Sequence, residues 1–308
     1  MPRLLHRARG SAARHVYSYL MRITRRDALR AIAATGVGLA TGRVAYGVAY
    51  ERHRLIRVAQ DVPVSGLPPA LDGLRVGLIT DVHHSNTVVA EDVTRAVGLL
   101  LESSPDLIVL GGDYVTFGNR AFVEPVAELL APLAAAPNGS FAVLGNHDDD
   151  RDMPAALAKR GFAILKDQRT TVAIRGESVD LVGIRFWTRR IEHITQVLKG
   201  AGPTTILLAH DPRRLMQAAQ LDVPLVLSGH THGGQVRLPG VGAIAGREFP
   251  VLAGYARELN SSIFVSRGVG TVYLPVRINC PPDVAILTLR STFPRLIKGS
   301  LRSNLRHG

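Results

Sequence analysis

Five times between Leu74 and His232, a run of apolar, β-prone residues ends abruptly in side chains that can bind a metal ion. The runs at residues 74–80, 107–112, 141–145, 205–209 and 224–229 lead into Asp81-Val82-His83, Asp113, Asn146-His147-Asp148, His210 and His230-Thr231-His232. Runs without polar alternation suit strands covered on both faces, and stretches of helical apolar spacing at 88–102 and 122–136 separate the first three. This alternation predicts βαβ units and a largely parallel sheet, whose ligands collect beyond the carboxyl ends of the strands. Every candidate ligand stands at that end. A lone strand-end His or Asp is ordinarily a capping or hydrogen-bonding residue, but five successive strands delivering them form a constellation.

From residue 161 to 184 the pattern shifts to short alternating runs at 162–165, 171–174 and 179–184, expected as antiparallel strands. Further short strands are expected at 235–238, 263–266 and 284–289. With 308 residues, 46% of them apolar, the chain can bury a large core, and the reading is two sheets with helices outside. Cys280 is the only cysteine, which excludes an internal disulfide and a cysteine-rich zinc site. Any metal must therefore sit on His, Asp and Asn.

Taken in order, Asp81-x-His83, Gly112-Asp113, Gly145-Asn146-His147-Asp148, His210 and Gly229-His230-x-His232 resemble the motifs of the calcineurin-like metallophosphoesterases, across residues 73–290. The resemblance implies an α/β fold, the four-layer αββα sandwich of that family. It implies one metal held by Asp81, His83, Asp113 and His232 and a second held by Asp113, Asn146, His210 and His230, with Asp113 bridging. The implied reaction is hydrolysis of phosphomonoesters or phosphodiesters by a hydroxide shared between the ions, with His147 facing the substrate as a proton donor. The resemblance thus implies two divalent metal ions; independently, a set of imidazole, carboxylate and amide oxygen without thiolate suits divalent ions such as Mn, Fe or Zn. Rival readings are a pyrophosphatase acting on a nucleotide- or lipid-linked substrate, and a non-catalytic envelope binding module of the same fold.

One departure from the family pattern matters. Thr116 stands where many relatives carry the acid that orients the catalytic His, which leaves Asp148, Thr116 or a water to orient His147. His84 and Gln235 border the expected site as candidate substrate contacts. Trp187 reads as packing, and Asp148-Asp149-Asp150 as a solvated helix start.

The net charge of +12 suggests nucleic acid until it is divided along the chain. Residues 1–57 hold 12 Arg and two acids, and residues 291–308 hold four basic residues and no acid, so residues 58–290 carry 21 basic against 23 acidic side chains. The body is nearly neutral, and with 5% aromatics no specific nucleic-acid partner is expected. Arg25-Arg26, ahead of a weakly apolar stretch at 31–50, resembles a twin-arginine export signal. It departs at Ala28, where Phe is commoner, and at Arg43, a charge costing ~2.5–3.5 kcal/mol at mid-bilayer. The expected organisation is an export signal or membrane anchor at 1–57, a linker at 58–72, the catalytic domain at 73–290 and a basic tail at 291–308. Expected partners are a phosphate ester and a membrane surface met through the N-terminal segment, in the periplasm or on the outer face of the cytoplasmic membrane. The sequence gives no sign of oligomeric state.

Overall fold

Period-two alternation within single strands sets the layering of the body. In the computed structural model, which describes residues 24–292, Leu107 and Val109 enter a core between two sheets, whereas Ile108 and Leu110 face helices. Ile206 and Leu208 enter the same central core from the other sheet, and Leu207 and Ala209 turn away to a third cluster. Both faces of these strands are apolar because both are covered.

The first sheet runs, edge to edge, through β1 (Ile56–Ser65), β14 (Asp283–Thr292), β2 (Arg75–Ile79), β3 (Leu107–Leu110), β4 (Ser140–Ala142) and β5 (Ala163–Ile164). All neighbours are parallel except β14 and β2. The second sheet runs through β12 (Gly254–Glu258), β13 (Ser261–Val265), β9 (Leu225–Ser228), β8 (Thr205–Ala209), β7 (Glu177–Ile184) and β6 (Gln168–Ile174), antiparallel only at its two outer pairs. A small hairpin, β10 (Arg237–Leu238) with β11 (Gly242–Ala243), stands apart. Helices α2 (Ala90–Leu101), α3 (Val123–Leu130) and α4 (Asp152–Lys159) cover the first sheet, and α5 (Ile191–Leu198) and α6 (Leu215–Gln220) cover the second. The result is the expected α/β fold of two mixed sheets with flanking helices. In α2 the buried stripe Val93, Ala96, Val97 and Leu100 follows the 3.6-residue period. The helix expected over 122–136 stops at Leu130 and tightens into a 3₁₀ turn at Ala131–Ala135, since Pro132 donates no backbone hydrogen bond.

Two expectations are corrected. The stretch 58–72 is not a linker: β1 pairs with β14 along its whole length, from Ile56↔Asp283 to Ser65↔Thr292. Its polar residues and Pro63 imitate a tether because β1 is an edge strand, where proline is tolerated and one face meets water. The other face still delivers Val62 and Val64, at 0% and 2% exposure, to the central core. The run at 162–165 contributes β5, which pairs parallel to β4 rather than antiparallel.

Residues up to Ala45 cluster apart from those that begin at Tyr46. Helix α1 (Arg25–Ala49) starts at Thr24, whose Oγ1 accepts the Asp27 N–H and donates to the Asp27 carboxylate, a side-chain N-cap. The paired arginines therefore form the first turn of a helix. No helix among the described residues is long and apolar enough to cross a membrane. The opening of the leader (1–23) and the basic tail beyond Thr292 lie outside the described residues.

Because β1 belongs to the core, Val62→Ala should lower the unfolding free energy by about 2 kcal/mol, the loss of two buried carbons plus a residual cavity. Urea titration measures it, and a tether residue would leave the midpoint unchanged.

Candidate metal centre

The carboxyl ends of strands from both sheets converge on one place. Asp81 and His83 follow β2, Asp113 follows β3, Asn146 and His147 follow β4, His210 follows β8, and His230 and His232 follow β9. Asp81, His83 and His232 form one cluster and Asp113, His210 and His230 a second, each with its ligand atoms within 4.8 Å of one another. Asp113 reaches into both: its Oδ2 lies 3.1 Å from His210 Nε2 and 3.5 Å from His83 Nε2. His232 Nε2 is 3.5 Å from Asp81 Oδ1.

The unsatisfied atoms test whether metal ions fit. His83 Nε2, His232 Nδ1 and Asn146 Oδ1 are buried without a hydrogen-bond partner, and His210 Nε2 faces the Asp113 carboxylate, 3.1 Å away. Each such group costs roughly 1–3 kcal/mol if left alone. Collected around two buried carboxylates, they make a cation site of N and O donors. The two His/Asp clusters thus fit a dinuclear centre.

Backbone strain collects at the same point. Of fourteen non-glycine residues with positive φ among those described, five are Asp81, His83, Asp113, His230 and His232. Such conformations cost on the order of 1–3 kcal/mol each and persist only where the surroundings over-determine them. Here the determinants are hydrogen bonds. Asp81 accepts the His230 N–H at 2.9 Å, and Asp113 Oδ1 accepts the His147 N–H at 2.8 Å. Asp148 accepts the N–H groups of Asp113 and Gly145 at 2.8 Å and of Tyr114 at 2.7 Å. Gly145 is needed for close approach, since a Cβ there would lie 2.0 Å from Asp113 Oδ1. Asp148 is therefore not part of a solvated helix start; that role falls to Asp149, whose carboxylate accepts the Arg151 and Asp152 N–H groups beneath α4.

The groups around the ligands differ from the sequence reading in four places. His147 is oriented by neither Asp148 nor Thr116: its Nδ1 accepts the backbone N–H of Phe117 at 3.2 Å. Thr116 instead meets a ligand, with Oγ1 3.2 Å from His83 Nδ1. Gln235 is occupied by the loop at 272–274, and His84 by the Val88 carbonyl. Trp187 is 68% exposed, with the Arg189 guanidinium 5.1 Å from its ring, so it is not core packing. Arg277 escaped the sequence reading altogether. Fully buried, it donates to the carbonyls of His232, Arg267, Gly268, Gly270 and Cys280 and so ties the loops behind the centre together. The one available signal was a charge set between Val276 and Ile278.

Burial lowers His83 and His230 to about 4 and His232 well below its ordinary value, so three imidazoles stand neutral, the form that ligates. Burial also works against a charged His210, but Asp113 and Asp81 beside it raise it to about 10. Burial raises Asp81 to about 6 against the opposing pull of His210. Asp113 lies far below the ordinary carboxylate range: burial opposes its charge, and His210 overcomes that. Carboxylates that favour a charged His210 favour a metal cation at the same place.

A family model described as calcineurin-like phosphoesterase matches residues 74–234. The chain is 33% identical over 231 residues to the phosphodiesterase YaeI of Escherichia coli strain K12, covering 70% of this chain and 82% of that one. It is 28% identical over 289 residues to the uncharacterized metallophosphoesterase YkuE of Bacillus subtilis strain 168, covering 89% of this chain and all of the relative. A solved dimetal phosphatase from Danio rerio aligns at 13% identity with a TM-score of 0.40, over 64% of this chain and 88% of that one.

Asp148→Ala leaves the N–H groups of Asp113, Tyr114 and Gly145, and the more distant one of Val115, without their acceptor. At the lower end of the cost of a buried unpaired group, stability should fall by ~3 kcal/mol. Metal content of the same sample, measured by plasma mass spectrometry, should fall with it, whereas a solvated helix-start residue would change neither.

Proposed function

The chain belongs to the calcineurin-like phosphoesterases, and we propose that this metal-dependent phosphoesterase acts on phosphodiesters, with His147 as the proton donor to the departing oxygen. The carrying observation is the composition of the cavity beside the ligands. Among the described residues it is lined by Asp113, Asn146, His147, His230 and His232 and by no Lys or Arg; the nearby Arg213, 4.9 Å from the Phe249 ring, is paired with Asp211. A diester brings one negative charge to phosphorus, and a monoester or pyrophosphate brings more, for which the cavity offers no further cation. The name of the Escherichia coli relative agrees with this preference.

Two divalent ions held by Asp81, His83, Asp113, Asn146, His210, His230 and His232 would supply Lewis-acid charge at the phosphoryl oxygens and acidify water. Mn, Fe or Zn suit the donors. The protein's own contribution is the delivery of a proton. Since the Phe117 N–H points at His147 Nδ1, the neutral ring carries its proton on Nε2. Burial lowers the basicity of His147, which keeps the neutral form dominant and makes the ring, when it does take up a proton, the readier to give it away. An ester oxygen leaving within reach of Nε2–H can take that proton as the bond to phosphorus breaks, and the ring recovers one from the acidic P–O–H that the attacking water leaves on the product monoester. Thr116 meanwhile fixes the ring of His83, and Asp148 holds the Asp113 loop.

The same reading sets the protein outside the cytoplasmic membrane. Its support is the Arg25-Arg26 pair before a weakly apolar stretch, in a chain whose Asp113 and His210 can take up metal once folded.

His147→Ala should cost ~10²–10⁴ in kcat for a diester with a poor alkoxide leaving group and much less for a nitrophenyl diester, with metal content unchanged. Equal losses across a leaving-group series would assign His147 to the phosphoryl oxygens instead. For location, replacing Arg25 and Arg26 by Lys keeps the charge but removes the guanidinium forks, so precursor should accumulate in the cytoplasm. Unchanged envelope fractionation of the double variant would defeat that placement.

A further inference from the structure

The cavity that contains the candidate ligands is larger and more apolar than a phosphoryl group requires. It measures about 380 Å³, within the range of small-molecule sites. Besides the metal ligands and His147, its lining includes Val236, Ile244, Phe249, Val272, Tyr273 and Leu274. Three of these are conspicuously wet: Ile244 is 55% exposed, Leu274 64% and Tyr273 78%. Large apolar side chains grouped at a cavity mouth mark a surface meant to be covered. Phe117, 66% exposed, continues it, with ring centroids 5.7 Å from Tyr273 and 4.9 Å from His147. The apolar surface therefore extends to the proton donor itself.

The wall is fastened to the chemistry. Gln235 Oε1 accepts the Val272 N–H at 3.1 Å, and its Nε2 donates to the carbonyls of Val272 at 3.3 Å and Leu274 at 2.9 Å. Gln235 lies three residues beyond ligand His232, so one amide joins the ligand loop to the wall. Phe117, Gln235 and Tyr273 all have positive φ, a conformation such residues rarely adopt without a constraint. Among the described residues Glu248 is the only charged side chain in the lining apart from ligand Asp113 and the histidines, and it does not attract a second anionic group.

We infer that this wall is a subsite for an apolar ester group, so that the substrate is an amphiphilic phosphodiester. Its phosphate lies at the metal ligands and its hydrocarbon runs along Ile244, Phe249, Val272, Tyr273 and Leu274. The inference rests on the diesterase reading and narrows it. Each methylene removed from water by the wall should strengthen transition-state binding roughly fourfold until the wall is filled.

The test uses metal-loaded, full-length protein and p-nitrophenyl diesters whose second group is methyl, butyl or octyl, kept below micelle-forming concentrations. Leaving group and phosphate stay constant while only the hydrocarbon grows. The expected result is a rise in kcat/KM of at least about tenfold from methyl to octyl. In Ile244→Ser/Leu274→Ser, both positions being exposed, that rise should flatten. Calorimetry should show octylphosphonate binding more tightly than methylphosphonate, with a negative heat-capacity change. A flat profile in wild type, with the methyl ester hydrolysed, overturns the subsite and leaves the diesterase standing. A rise undiminished in the double variant also overturns it, since the hydrocarbon would then lie elsewhere. If metal-loaded protein hydrolyses none of the esters, the diesterase reading fails and the subsite fails with it.

Discussion

A carboxylate buried at the junction of two sheets has to be compensated from both, and Asp113 is that carboxylate. The first sheet gives it the His147 N–H and brings it 3.5 Å from His83; the second brings His210 to 3.1 Å. Its own loop is held by Asp148, and the absence of a Cβ at Gly145 lets the two strand ends close around it. The geometry of the centre is then a property of how the sheets face one another. Leu107 and Val109 from one side and Ile206 and Leu208 from the other set that spacing, which ties the position of the ligands to central core packing.

The ligand set has two energetic sides. Orphaned imidazole nitrogens and left-handed backbone at Asp81, His83, Asp113, His230 and His232 destabilise the metal-free chain locally. Cations that satisfied those nitrogens would bind the folded protein more tightly than the unfolded one, which would link loading to stability. A rigid sandwich with covered strands suits this arrangement, since it can hold strained strand ends in position before any ion arrives.

What could be read from the sequence was whatever interrupts a pattern. Asp81, Asp113, His210 and His230 each end an apolar run, so their strands, the end of the sheet and the layered architecture were visible together. The first strand was hidden because an edge position permits Pro63 and polar neighbours, leaving only Val62 and Val64 to signal burial. The partner of His147 was hidden for a different reason: it is a backbone N–H, which every residue except proline possesses, and Phe117 carries no side-chain mark of it. Gln235 acts on main-chain carbonyls 37 and 39 residues away, and Arg277 reaches the His232 carbonyl 45 residues away, so these roles depend on a topology that residue spacing does not encode.

Gln235 has one more consequence. Its three hydrogen bonds reach only main-chain atoms of Val272 and Leu274, leaving the side chains at 272–274 outside the fastening. Those side chains can be exchanged over evolutionary time while the ligand loop keeps its anchor. Substitutions at the cavity mouth can thus change what it accommodates without loosening the ligand loop.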